Sequence, residues 1–240
     1  TRSGYGEHVR FVLRALKEQE EKFDIYLIST NWGKTGWLSD NDEERVWIDN
    51  ILQKTLMYTS QQGTFDASIQ VTIPNEWEKL APINIGVTAG IETNKVAPQW
   101  IEKSYVVDKI IVPSKHSKDV YENSSYQAQN QTTGEVNEDF KCLTPIEVVS
   151  YPVRKYDPVE IGLDLQTDFN FLAVAQWGPR KNLENTVKWF VEEFYDQEVG
   201  LVVKTNLAAN SIIDKHHTEK SLKHLLDSCG VPDRKCKVYL

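Results

Sequence analysis

The residues of this chain best suited to chemistry are three cations that follow apolar segments. Arg180 and Lys181 come after the apolar run FLAVAQ, in a Gly-Pro turn, and Lys204 follows the apolar run GLVV. In open parallel sheets, ligands bind at the carboxyl ends of the strands, where the amides and dipole of the next helix favour a phosphate. This order predicts a diphosphate site at one sheet edge, with Asn182 as N-cap of the next helix. A solvated basic loop explains the turn alone equally well.

Two glycines and one carboxylate form a second set of candidates. Gly4 and Gly6 make a predicted turn ahead of a helix, and glycines let a backbone approach a ligand closely. Their spacing is not that of the G-x-G-x-x-G dinucleotide motif, so the pattern alone is weak. Glu92 follows the strand-like segment APINIGVTAG, where it could act as an acid or base or bind a hydroxyl. A surface carboxylate or an N-cap explains Glu92 as readily.

The composition excludes several classes of function. A net charge of −8 over 240 residues gives no basic field, so no nucleic-acid partner is predicted. No apolar run is long enough for a transmembrane segment and no signal peptide opens the chain, which predicts a cytoplasmic protein. The three cysteines are an odd and sparse set, as in a reducing compartment. Histidines and cysteines lack metal-ligand spacing, so neither a metal nor a cofactor is predicted.

Apolar runs that alternate with helical periodicity predict an α/β fold. Strands are predicted over 23–30, 65–74, 81–90, 108–114, 144–153, 169–176, 199–204 and 237–240, and helices after Gly6 and over 43–56, 117–121, 182–195 and 218–228. Such alternation is typical of parallel sheets covered on both faces, so we predict two Rossmann-like doubly wound domains. The first spans 1–153, a linker spans 154–168, and the second spans 169–240.

Three further features concern loops and exposure. Residues 31–38, NWGKTGWL, are predicted to form a turn-rich loop, and the polar segment 122–140 a mobile surface loop. The chain opens without a strand before its first helix and closes on the apolar run KCKVYL. We therefore expect a fragment of a longer protein whose second domain is incomplete. An incomplete sheet exposes apolar surface, which a homo-oligomer would cover.

Three segments together resemble a known family. SGYGEHVRFVLRAL, the run from IGVTAGIETNK to DKIIVPSKHSKDVY, and FLAVAQWGPRKNLENTVKWFVEEF are similar, in this order, to retaining nucleotide-sugar glycosyltransferases of the GT-B fold, the group 1 family. The resemblance covers most of the chain except 122–140. It implies a first domain that binds the acceptor, a glycan or another hydroxyl compound, and a second that binds the nucleotide-sugar donor. It also implies transfer in the cleft between them, with retention and without a metal.

The resemblance assigns roles to particular residues. Lys181 matches the basic residue that contacts the donor diphosphate in this family. Gly4 and Gly6 match the glycine loop whose amides approach the same phosphates. The main catalytic task implied is to stabilise the charge that develops on the leaving diphosphate.

The chain departs from the family pattern at two places. Many members carry Gly-Arg where this chain has Ala175-Gln176, and Arg180 is our candidate to compensate for the missing arginine. Many members carry a histidine at the end of a strand in the first domain, where this chain offers Glu92. Glu92 is therefore the predicted catalytic residue facing the sugar.

Two alternatives to a glycosyltransferase remain open from the sequence. The family's element of two glutamates with seven residues between them, which holds the donor sugar and the ribose, is expected further along the second domain, beyond Leu240. A non-catalytic module that binds carbohydrate or nucleotide would need no such element. A sugar-nucleotide epimerase of GT-B type would use the same two domains for a different reaction.

Overall fold

The computed structural model describes residues 3–30, 41–208 and 211–240, so the predicted loop at 31–38 lies outside the described residues. The chain divides into two compact units. The first consists of described residues between Gly4 and Lys155, and the second of those between Tyr156 and Leu240. Each unit contains a parallel sheet with helices in its crossovers, so the predicted α/β class with parallel sheets is confirmed.

The first unit combines two leading helices, a parallel sheet and a hairpin. The helices are α1 (Gly4–Lys17) and α2 (Glu43–Ser60). The chain continues through β1 (Ala67–Val71), β2 (Ile83–Val87), α3 (Pro98–Ser104), β3 (Lys109–Val112) and α4 (Lys115–Asn123). It ends with β4 (Ser125–Gln129), β5 (Val136–Lys141) and β6 (Ile146–Val148). The sheet order is β1-β2-β3-β6, all parallel, while β4 and β5 form a separate antiparallel hairpin.

The core of the first unit forms around Trp77, which is fully buried. Ile101 of α3, Ile110 of β3 and Tyr121 of α4 join it in one apolar cluster. Gly86 of β2 makes room for the indole ring, because a Cβ at that position would lie 2.6 Å from it. The absence of a side chain at this strand position is therefore what lets the largest core residue pack against the sheet.

The apolar segment 23–30 forms no strand, so the sequence prediction is wrong there. Ile25 is the buried residue of the segment. The amide of Leu27 donates to Oγ1 of Thr55 in α2 at 2.9 Å, and Nζ of Lys54 donates to the carbonyl of Ile25 at 3.1 Å. Side chains of α2 thus satisfy backbone groups of this segment that would otherwise pair with a neighbouring strand.

The polar segment 122–140 folds as the β4–β5 hairpin and not as the predicted loop. Tyr126 and Phe140 are paired across the two strands. The hydroxyl of Tyr126 donates to the carbonyl of Val96 at 2.5 Å, and the ring of Phe140 stacks on that of Tyr105 at 5.8 Å. Two aromatic anchors therefore hold the hairpin to the unit, although most of its residues are exposed.

The described residues of the second unit form three parallel strands and two α-helices. Its elements are β7 (Phe169–Val174), α5 (Leu183–Phe194), β8 (Val199–Lys204), α6 (Ile212–Ser228) and β9 (Lys237–Tyr239), with the sheet order β7-β8-β9. The helix α6 begins well before the predicted start at 218. Its N-cap is Ser211, whose Oγ accepts a hydrogen bond from the amide of Asp214 at 3.2 Å. Residues 149–165 carry neither helix nor strand.

Both helices of the second unit pack on one face of its sheet. Leu201 and Val203 of β8 are buried in one cluster with residues of α5 and of α6. The strand order steps in one direction, so crossovers of the same hand fall on the same side. On the other face Leu172 and Val174 are 69% and 64% exposed, which is the apolar surface that the sequence led us to expect.

A buried amide holds the start of β2. Asn84 is fully buried, and its Oδ1 accepts hydrogen bonds from Oγ of Ser68 at 2.8 Å and from the amides of Leu80 and Ala81 at 2.9 and 3.1 Å. Its Nδ2 donates back to the carbonyl of Ala81 at 2.7 Å. This one side chain therefore joins β1, β2 and the segment between them.

We expect Asn84→Ala to lower the free energy of unfolding by about 2–4 kcal/mol, because it leaves partly buried donors without an acceptor. The matched control is Asn130→Ala. Oδ1 of Asn130 also accepts from two amides, those of Thr132 and Thr133, but in the exposed hairpin turn. Its loss should cost less than about 1 kcal/mol. Urea denaturation measures both, and equal losses would contradict the assignment.

Candidate functional site

The loops that leave the carboxyl ends of β7 and β8 run side by side. The amide of Ala175 donates to the carbonyl of Lys204 at 3.2 Å, and the amide of Trp177 donates to the carbonyl of Asn206 at 2.9 Å. Val174 and Lys204 are paired where the two strands end. The helices α5 and α6 begin at the far ends of these loops. One edge of the second sheet therefore gathers two strand ends and two helix N-termini.

All three predicted cations lie at this edge. Lys204 is the last residue of β8, and Arg180 and Lys181 lie in a single 3-10 turn, Pro179–Lys181, between β7 and α5. All three side chains are exposed. Exposed cations beside helix N-termini create an electrostatic environment that favours an anion.

Part of the backbone at this edge is occupied by internal hydrogen bonds. The amides of Lys181 and Asn182 both donate to the carbonyl of Gly178, at 3.1 and 3.2 Å. An anion would instead meet the amides that open α5, which lack partners within that helix. Glu184 in this first turn accepts a hydrogen bond at Oε1 from Nε1 of Trp177 at 3.2 Å. This carboxylate, which the sequence analysis missed, repels an anion placed directly on the helix end.

Asn182 occupies the N-cap position of α5, but its side chain does not cap the helix as predicted. Its backbone is left-handed, with φ of 53°. Its Oδ1 accepts a hydrogen bond from Nδ2 of Asn185 at 2.8 Å and none from a backbone amide of the first turn. Asparagine tolerates the left-handed region better than most residues, so its role here is to turn the chain from the 3-10 turn into α5.

The N-terminus of α1 lies at the carboxyl end of β2. The segment from Gly4 to Gly6 is the first turn of α1, which corrects the prediction of a separate glycine turn. The hydroxyl of Tyr5 lies 3.0 Å from Oγ1 of Thr88 and accepts a hydrogen bond from the amide of Ala89 at 3.2 Å. Thr88 and Ala89 directly follow β2, so the positive end of the α1 dipole is fixed at this strand end.

Glu92 lies in the segment that continues from β2, and both of its neighbours are fixed on α4. The amide of Ile91 donates to Oγ of Ser117 at 3.1 Å, and Nε2 of His116 lies 3.2 Å from the carbonyl oxygen of Thr93. The Glu92 side chain is exposed. A fixed backbone with an exposed carboxylate suits a group that acts on a substrate hydroxyl.

His8 is a residue at the α1 end of this region that the sequence analysis did not identify. It is 8% exposed, and its ring meets that of Tyr151 edge-on with centroids 4.8 Å apart. Burial lowers the pKa of His8 below its ordinary value, so the ring is neutral at neutral pH. Its Nδ1 is buried and has no hydrogen-bond partner among the described residues. The sequence signal for His8 was its spacing of one helical turn from Gly4.

The predicted site residues fall into two groups, one beyond the strand ends of each unit. The group at the end of β2 in the first unit consists of Gly4, Gly6 and Glu92, and the group at the ends of β7 and β8 in the second unit consists of Arg180, Lys181 and Lys204. Each group lies at the kind of sheet edge where open α/β proteins bind ligands.

Neither a protein-family model nor a curated protein matches this chain. The resemblance to GT-B glycosyltransferases therefore stays a prediction. Within residues 3–30, 41–208 and 211–240, no three histidine, cysteine or acidic side chains are grouped as metal ligands would be. None of the helices described there has the length and apolarity that a membrane span requires.

We expect Tyr5→Phe to lower the free energy of unfolding by about 1–2 kcal/mol, because Thr88 is fully buried and loses its hydroxyl partner. Tyr58→Phe is the matched control. It removes an exposed hydroxyl that donates to the carbonyl of Thr64 at 2.9 Å, and it should cost less than about 0.5 kcal/mol. Chemical denaturation of both variants tests the docking of α1. A free energy of unfolding that Tyr5→Phe leaves unchanged would argue against this docking.

Proposed function

We propose that this chain forms part of a glycosyltransferase, which moves a sugar from a nucleotide-sugar donor to a hydroxyl acceptor with retention at the anomeric carbon. The second unit holds the donor diphosphate, and the first unit supplies Glu92 as the catalytic carboxylate. The resemblance of the sequence to the GT-B group 1 family motivates the reaction. The geometry described above supports the division of roles.

One observation carries the proposal: three exposed cations lie at the same edge of a parallel sheet. Lys204 ends β8, and Arg180 and Lys181 precede α5 in the neighbouring loop. Negative charge builds up on the diphosphate as the sugar leaves, and preorganised cations stabilise that charge more than they stabilise the intact donor. An arginine fork and a lysine point charge are the side chains best suited to phosphate oxygens.

Glu184 restricts where the diphosphate lies. Like charges repel, so the diphosphate is held away from Glu184 in the first turn of α5 and toward the three exposed cations. Gln176, at the place where many family members carry an arginine, supplies no charge to the diphosphate, and its Nε2 donates to the carbonyl of Leu207 at 3.4 Å. Arg180, Lys181 and Lys204 therefore carry most of the binding in this proposal.

Glu92 supports the acceptor half of the proposal. Hydrogen bonds to α4 fix the residues on both sides of it, while its side chain stays exposed. A carboxylate at that position accepts a hydrogen bond from a sugar or acceptor hydroxyl and orients it.

We expect Lys181→Ala to weaken the binding of a nucleoside diphosphate by about tenfold to a hundredfold, the loss of one charge-assisted hydrogen bond. Lys237→Ala is the matched control. It removes the same charge from the same unit, but Lys237 opens β9 and so lies at the opposite, amino edge of the sheet. Calorimetric titration with a panel of nucleoside diphosphates measures the affinities, and melting curves should be unchanged for both variants.

The outcomes separate the candidate functions. Equal affinities of the Lys181→Ala and Lys237→Ala variants would show that the diphosphate does not bind at this edge. Where a diphosphate binds, hydrolysis or transfer assays with nucleotide-sugars follow, and Glu92→Gln should reduce turnover by at least about tenfold. Binding that depends on Lys181 without any turnover would favour the non-catalytic binding module.

A further inference from the structure

A cavity lies between α6 and β9, away from the three cations of the second unit. Its volume is about 260 Å³. Part of its wall is apolar, formed by Leu222 and Leu226 of α6 and by Val238 of β9. Sites for drug-sized ligands begin at about 300 Å³, so this cavity suits a smaller molecule with an apolar part.

Charged side chains of both signs line the same cavity. They are Glu219, Lys223 and Asp227 of α6 and Arg234 of the loop before β9. Glu219 already has counter-ions on its own helix, because its carboxylate lies 3.8 Å from Nζ of Lys215 and 3.3 Å from Nδ1 of His216. Two cations and one carboxylate of the cavity therefore remain to be accounted for.

These three charges face one cavity without pairing. Lys223 and Asp227 are four residues apart, a spacing at which opposite charges on a helix often meet. Neither of them, nor Arg234, forms an ion pair with any residue in the described ranges. Opposite charges that share a cavity but stay apart leave room for a ligand that carries both charges itself.

Arg234 has the least compensation of the three. Its side chain is half-buried, and its Nε is buried with no hydrogen-bond partner in the part of the chain that the structure describes. A cation that has lost part of its hydration and gained no counter-charge destabilises the fold. A carboxylate bound at the guanidinium offsets this loss, and it is the group whose geometry an arginine fits best.

We infer that this cavity binds a free α-amino acid with an apolar side chain. The carboxylate of the ligand pairs with Arg234 and its ammonium group with Asp227, while its side chain packs on the apolar wall. A ligand with one charge would leave one of these two residues without a partner. The site goes beyond the proposed function, because none of the three cations assigned to the diphosphate lines it.

The first experiment compares three compounds of similar shape on the wild-type chain. L-Leucine carries both charges, isocaproate lacks the ammonium group and isoamylamine lacks the carboxylate. Amide NMR titration should give a Kd on the order of 1 mM for leucine, with shifts at amides of α6 and β9. Each analogue should bind about tenfold more weakly, the loss of one charge-assisted hydrogen bond.

Glycine tests the apolar wall in the same titration. It has both charges but no side chain, so it should also bind at least about tenfold more weakly than leucine. Equal affinities for leucine and its two charge-deficient analogues would overturn the inference. So would the absence of shifts at about 20 mM leucine, since a Kd near the expected value would then saturate the site.

Two variants assign the charges to their partners. Arg234→Gln should weaken leucine and isocaproate by about tenfold and leave isoamylamine unchanged, and Asp227→Asn should weaken leucine and isoamylamine but not isocaproate. Lys237→Gln and Asp233→Asn are the matched controls. They remove the same charges from exposed positions beside the cavity that do not line it, so the binding of all three compounds should be unchanged.

This crossed pattern separates a binding role from a structural one. A variant that merely disturbs the fold weakens all three compounds alike, and the wild-type series then decides the question. Leucine binding that Arg234→Gln leaves unchanged in a folded variant overturns the inference. Lys181→Ala should not alter leucine binding, so failure of the amino-acid site and failure of the diphosphate site are told apart.

Discussion

The structure depends on one topological constraint: each parallel strand is reached by a crossover, and the crossovers within a unit step in a single direction. Strand orders of β1-β2-β3-β6 and β7-β8-β9 leave no reversal within either described sheet. Crossovers of one hand then fall on one face, as α5 and α6 do. Each strand also releases its chain at the same edge. The candidate residues of both units meet at such edges for this reason, although they are distant in sequence.

The residues at the two sheet edges differ in how much they affect the stability of the fold. Lys181 and Lys204 are exposed, and an exposed cation changes stability little. Ligand binding can therefore determine the residue type at these positions without a cost in stability. Tyr5 and His8 are packed where α1 meets the end of β2, and their polar atoms matter to the fold itself. Substitutions at the edge of the first unit should therefore change stability more than those at the edge of the second. The attraction of an anion to the edge of the second unit comes from charge, and salt screens it.

The sequence predicted the α/β class because buried strands and helices have distinct periodicities, and most strands lie inside their predicted ranges. It failed where tertiary contacts decide. The run at 23–30 has strand composition but bonds to α2 through Thr55, and the polar run at 122–140 is anchored by Tyr126 and Phe140. The three cations and Glu92 were predicted from their place after a strand. The left-handed backbone of Asn182 and the unsatisfied nitrogen of His8 could not be predicted from the sequence. Backbone angles and missing hydrogen-bond partners are properties of the packed chain.

The strand β7 gives the chain an association hazard. It lies at the edge of its sheet in the described part of the chain, so one row of its amides and carbonyls is offered to any extended segment that approaches. Its six residues, FNFLAV, contain no charge and no proline, the two devices that usually block such pairing. Leu172 and Val174 add an apolar face beside this open ladder. Two molecules that pair through β7 would extend the sheet across both, against the repulsion between their net charges of −8.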